Sequence, residues 1–156
     1  MRQRKIGPAP AGLAAGTLAG TWRLVSWETR YPDGKVTRPF GRRPQGLLLY
    51  TPDGGMSASI AAGGRRPLPV ANPRDAPAAD KARLFDSFLA YAGRYSVRGS
   101  TVRHRVTVAS NPALAGTVQV RDARLAQDRL ELSAVEDARS RGGTRRHVIV
   151  WARSRK

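Results

Sequence analysis

From Thr21 onward, apolar and polar side chains alternate with a period of two over short runs, and turn-forming residues separate the runs. That period belongs to strands with one face toward a core and the other toward water. It predicts strands at 21–30, 45–51, 55–61, 93–98, 101–109, 117–125, 129–135 and 144–153, with a short extra one at 35–38. Pro32-Asp33-Gly34 and Pro52-Asp53-Gly54 each set a φ-fixing proline and an aspartate before a glycine free to take positive φ, so both read as strand-to-strand turns. Arg98-Gly99-Ser100, Gln127-Asp128 and Arg141-Gly142-Gly143 divide the second half in the same way. One segment departs from the period of two. Leu84, Phe85, Phe88, Leu89 and Ala92 fit a helical stripe, with a start at Asp75-Ala76-Pro77 and a stop at Gly93. The stretch 61–76, rich in Gly and Pro and carrying Arg65 and Arg66, reads as a loop. The fold class that follows is all-β with one short helix. About eight consecutive antiparallel strands must hide their edges, and a closed up-and-down barrel hides all of them.

Length changes this picture little. A chain of 156 residues makes one domain and buries enough surface to need no staple. We divide it into a flexible basic arm at 1–17 and a barrel domain at 18–156. There are no cysteines, which removes thiol nucleophiles, disulfides and cysteine-held metal centres. The longest apolar runs, Leu47–Tyr50 and Val148–Trp151, are far short of a membrane-spanning helix, so a soluble chain is expected. Met1–Lys5 looks like the charged start of a secretory signal, but Ile6-Gly7-Pro8-Ala9-Pro10 breaks the apolar stretch that would have to follow. A cytoplasmic location is the expectation.

Charge adds a second candidate partner. The net charge is +17, which raises nucleic acid or another anionic surface. Arginines are scattered along the chain, and the one real cluster is Arg139 to Lys156: Arg139, Arg141, Arg145, Arg146, Arg153, Arg155 and Lys156, with no acid among them. A basic module acting through that cluster is one alternative function.

The chemistry-bearing residues are few. His104 alternates in phase with Val102, Val106 and Val108, which places it on the apolar face, inside a barrel. There it is either a satisfied core histidine or a polar anchor in an oily pocket, and Glu131, Gln119, Arg121, Tyr50 and Tyr95 are its candidate partners. Arg121, set among Val118, Val120 and Leu125, either faces solvent or meets a ligand carboxylate or phenolate. Tyr50, Met56, Phe88, Tyr91, Tyr95 and Trp151 are the larger side chains expected at or near a cavity. There is no nucleophile elbow, no phosphate-cradling glycine loop and no His-Glu-x-x-His helix. No metal and no cofactor are expected. The enzymatic alternative that survives is an isomerase or cyclase of secondary metabolism that works by shaping its substrate, with His104, Tyr95 and Arg121 as candidates.

Gly20-Thr21-Trp22-Arg23-Leu24-Val25-Ser26 resembles the Gly-x-Trp opening of the first lipocalin strand. Leu47 to Ser57 looks like the second and third strands of the bacterial lipocalin-like domain family. Tyr91–Tyr95, His104–Val106, Asn111-Pro112 to Gly116 with Arg121 following, and Val150–Arg153 resemble that family in the same order, so the likeness covers about residues 18–153. It implies a calycin-type barrel that holds a small apolar or amphipathic molecule, an anionic one included. It also implies that Trp22 closes the barrel base beneath Arg153, a structural pair. The leading expectation is therefore a small-molecule binding protein. Fold likeness alone does not give a function.

Overall fold

The structure is a computed structural model of the chain, and it describes residues 12–138 and 143–155. Residues 1–11 of the expected arm, Arg139, Arg141 and Lys156 of the basic cluster, and Arg141-Gly142 of the last expected turn lie outside the described residues. A one-turn helix α1 (Ala15–Leu18) leads into β1 (Gly20–Arg30), β2 (Val36–Thr37), β3 (Gln45–Tyr50) and β4 (Gly55–Ala61). After a short 3-10 turn at Pro73–Asp75 come α2 (Ala78–Asp86), β5 (Phe88–Arg98) and β6 (Thr101–Ala109). A second 3-10 turn, Pro112–Leu114, precedes β7 (Val118–Ala126), β8 (Arg129–Ala138) and β9 (Gly143–Arg153).

Every neighbouring pair is antiparallel, in the order β2-β1-β3-β4-β5-β6-β7-β8-β9, and β1 also pairs with β9. That last pairing closes an eight-stranded barrel, with β2 as an extra strand on one end of β1 (Thr29 opposite Thr37). Closure leaves the long strands without a free edge, as expected from the count of strands. Both Pro-Asp-Gly turns do what their chemistry requires: Gly34 and Gly54 sit at φ 87° and 92°.

The expected helix extends only to Asp86. Phe88, Leu89 and Ala92 belong to β5, and Gly93 is a strand residue rather than a helix stop. A short apolar run satisfies both periods, and the register with β4 and β6 decides between them. Gly93 lies where β6 bulges, and a Cβ there would come within 2.0 Å of the Arg105 carbonyl oxygen. Only hydrogen fits. The same bulge inserts Thr107, so Val108 turns outward and is 62% exposed, instead of sharing the inner face with His104. A second bulge between Leu24 and Ser26 reverses the phase of β1: Trp22 and Leu24 point inward before it, Trp27 and Thr29 after it.

The closed end is filled by core side chains, Leu18, Trp22, Tyr50, Tyr95 and Val102 among them. Residues 13–18 cross this end. The Trp22 indole N–H donates to the Leu18 carbonyl at 2.9 Å. The Arg153 guanidinium lies 4.1 Å from the Trp22 ring centre and donates to the carbonyls of Ala19 (3.0 Å) and Thr17 (2.6 Å). A cation on an indole face adds about 0.5–2 kcal/mol, so this pair clamps the base as well as filling it.

Candidate functional site

Above that core the barrel keeps a cavity of about 410 Å³, within the range that holds one small ligand. Its apolar wall includes Trp27, Leu48, Ile60, Leu89, Leu132 and Trp151. Leu114, on the 3-10 turn before β7, faces it from the mouth, and Phe40 from the β2–β3 loop packs on Trp27 at 4.8 Å. Its polar side chains are Tyr91, His104, Gln119, Arg121, Glu136 and His147.

His104 is 1% exposed and holds two phenols: Tyr50 Oη is 2.7 Å from Nε2, and Tyr91 Oη is 3.0 Å from Nδ1. Burial, with a smaller push from the Arg121 charge, lowers its pKa from 6.5 to about 3, so the ring is neutral near pH 7. Burial also raises the Tyr50 and Tyr91 phenols, and Arg121 opposes that rise at Tyr91 through its charge and a polar contact. Both phenols keep their protons.

A neutral imidazole donates from one nitrogen and accepts at the other, and the network decides which. Tyr50 is 2% exposed, and His104 is its hydroxyl's hydrogen-bond partner among the described residues. Its hydrogen must therefore go to Nε2, because an orphaned buried O–H costs about 1–3 kcal/mol. That puts the histidine proton on Nδ1, where it donates to the Tyr91 oxygen. Arg121, which can only donate, also addresses that oxygen. The Tyr91 O–H is left pointing to the cavity.

Arg121 donates to the Val120 carbonyl (2.9 Å) and to Gln119 Oε1 (3.2 Å), and no acid of the described residues pairs with it. The Trp151 indole N–H, on the cavity wall, is buried without an acceptor among the described residues. This part of the cavity thus holds donors in excess of acceptors. At the mouth the balance differs. His147 Nε2 meets Glu136 at 2.7 Å and its Nδ1 lies 3.1 Å from Thr29 Oγ1. Arg145 grips the same carboxylate at 2.9 and 3.0 Å. The arginine first, and His147 after it, lower Glu136 to a pKa of about 2.

A model of the lipocalin-like domain family matches residues 19–154. The chain belongs to the lipocalin-like domain family. No curated protein matches it. In this lipocalin-like barrel the eight side chains expected near a cavity separate into three groups. Tyr91, His104, Arg121 and Trp151 line it. Tyr50 supports His104 from behind, and Met56 and Tyr95 are core, with the Tyr95 hydroxyl 3.1 Å from the Thr51 carbonyl at the base. Phe88 turns away, its ring 5.2 Å from the Arg65 guanidinium. The trio His104, Tyr95 and Arg121 therefore does not assemble around the cavity, and a histidine of such low basicity is a weak proton acceptor near pH 7. Glu131 is not a partner of His104. Its Cα partner on β7 is Arg124, outside the barrel.

Sequence reasoning missed Trp27, Glu136 and His147 as cavity residues, and Tyr91 as a partner of His104. Strict alternation from Trp22 puts Trp27 outside, and nothing in the residue types announces the bulge that brings it in. Tyr91 was hidden by the helical stripe. Its signal was available in Tyr91-x-Gly93-x-Tyr95-x-Val97, a period of two continuous with β5.

Proposed function

We propose that this lipocalin-like chain binds a small amphipathic molecule, its apolar body in the cavity and a carboxylate or phenolate on Arg121 and Tyr91. The observation that carries this is the pairing of an Arg121 guanidinium that has no acid partner among the described residues with the Tyr91 O–H in a mostly apolar wall. A half-buried guanidinium and a phenol O–H facing one cavity are donors that a single anionic ligand group accepts together, and charge-assisted hydrogen bonds of that kind are the strong ones. The Trp151 N–H, without an acceptor among the described residues, adds a third donor that an oxygen-rich ligand can use.

The test uses the intrinsic fluorescence of Trp27 and Trp151, both on the cavity wall. Dodecanoic acid and its methyl ester are titrated into the wild-type chain and into Arg121→Gln. A hydrogen bond to a charged group adds about 1.5–3 kcal/mol, so the wild type favours the acid by about tenfold or more and the variant loses that preference. Equal binding of acid and ester by the wild type, or an unchanged preference in the variant, overturns the assignment.

A further inference from the structure

The basic cluster at the C-terminus is electrostatically spent where it is described. Arg145 is paired with Glu136 (2.9 Å), Arg146 lies 3.6 Å from Asp122, Arg155 is paired with Asp128 (2.8 Å), and Arg153 is stacked on Trp22. Strand pairing builds a different basic surface. On the outer face of β5 and β6, Arg94 is the Cα partner of Arg105, Ser96 of Arg103, and Arg98 of Thr101. All four arginines are exposed. None forms an ion pair with a described residue, and Arg94 donates instead to the Asp53 carbonyl (2.5 Å). By register the nearest acids are Asp53 at that turn and Asp122, already bound to Arg146. Like charges set directly opposite destabilise a sheet, so this arrangement is one that folding alone does not favour. A shallow slot of about 220 Å³ opens between Arg94, Ser96, Arg103 and Arg105.

Within β3–β6 the rows on the mouth side of these arginines carry no charge, and Arg23 on β1, the exposed Cα partner of Leu47, borders them. One runs Leu49–Ser57–Ala92–Val108 and the next Leu47–Ser59–Ala90, a wall without charge in a chain of net charge +17. Leu47, Leu49 and Val108 are 48%, 40% and 62% exposed.

We propose that the outer wall of β3–β6 docks on an anionic lipid surface, aliphatic rows in the interface and arginines on the phosphates. A nucleic-acid backbone would use the arginines and leave Leu47, Leu49 and Val108 in water, and these rows offer no aromatic side chain on which a base could stack. An anionic bilayer uses both halves of the wall. The inference uses only outward faces and stands whatever fills the cavity.

The experiment is co-sedimentation of the full chain with vesicles of phosphatidylcholine, alone or mixed with phosphatidylglycerol, at low and high salt. Each arginine near an anionic surface contributes about fivefold, so Arg103→Ser/Arg105→Ser weakens partitioning to the mixed vesicles about thirtyfold. The control Arg30→Ser/Arg155→Ser removes the same charge from paired sites and stays near wild type. Leu47→Ser/Leu49→Ser loses the part of binding that survives high salt. All these positions are exposed and removing the opposed arginines relieves repulsion, so circular dichroism will show folded variants. The proposal is overturned if the mixed vesicles are not bound, or if the control loses as much as the double variant. It is equally overturned if short duplex DNA, and not the vesicles, is bound through Arg103 and Arg105.

Discussion

His104 should make the fold acid-sensitive, and a single variant measures by how much. Its pKa falls from an unfolded value of 6.5 to about 3 in the folded chain, burial being the main cause. A depressed folded pKa means the unfolded chain binds the proton first, so the stabilising contribution is complete above pH 6.5 and drains away as pH falls toward 3. At about 1.4 kcal/mol per pH unit the loss is about 3 kcal/mol by pH 4 and on the order of 5 kcal/mol by pH 3. The structure gives the reason: the nitrogens are held by two protonated phenols, at 2.7 and 3.0 Å, and among the described residues no carboxylate hydrogen-bonds the ring to stabilise an imidazolium. His104→Gln keeps a donor and an acceptor but has nothing to protonate. Urea unfolding at pH 7 should find the variant less stable by about 1–3 kcal/mol, the cost of imperfectly satisfied buried hydroxyls. At pH 4 the gap should close or reverse, since other titrating groups act on both proteins alike. A gap that stays constant between pH 7 and pH 4 would refute the reasoning, because His104 would then take a proton in the folded chain without penalty.

Other substitutions test the frame that holds the site. Gly93→Ala forces a methyl onto the Arg105 carbonyl and should cost about 3 kcal/mol or more in urea unfolding, far above the usual overpacking of an exposed strand. Arg153→Met keeps the aliphatic stem and removes the charge from Trp22 and the carbonyls of Thr17 and Ala19. It should cost about 2 kcal/mol in chemical unfolding and speed proteolytic cleavage near residues 13–18. Leu48→Ala, at a site 1% exposed on the cavity wall, should cost about 2–5 kcal/mol while enlarging the cavity, so unfolding measurements fall and longer aliphatic acids gain affinity relative to shorter ones.

The alternation of Thr21–Arg30, Gln45–Tyr50 and the later strands, with two Pro-Asp-Gly turns between them, was enough to determine the barrel. Side-chain period and turn chemistry are local properties, and edge pairing leaves few ways to close such a set. The inward placement of His104 was legible for the same reason. Its partners were not, because Tyr50 is 54 residues away and Tyr91 lies in an apolar run that satisfies a helix as well as a strand. Two bulges, each one residue long, then reassigned Trp27 to the cavity and Val108 to the surface. A bulge is fixed by the pairing of two strands and leaves no mark in the period of either one. The same holds for charge: Arg145, Arg146 and Arg155 of the dense C-terminal run are paired with distant acids, whereas Arg94 and Arg105, eleven positions apart in the sequence, meet across β5 and β6. The chain's local pattern determined which faces exist, and tertiary pairing alone decided which side chains meet on them, since contact depends on register between strands and register is a property of the folded sheet.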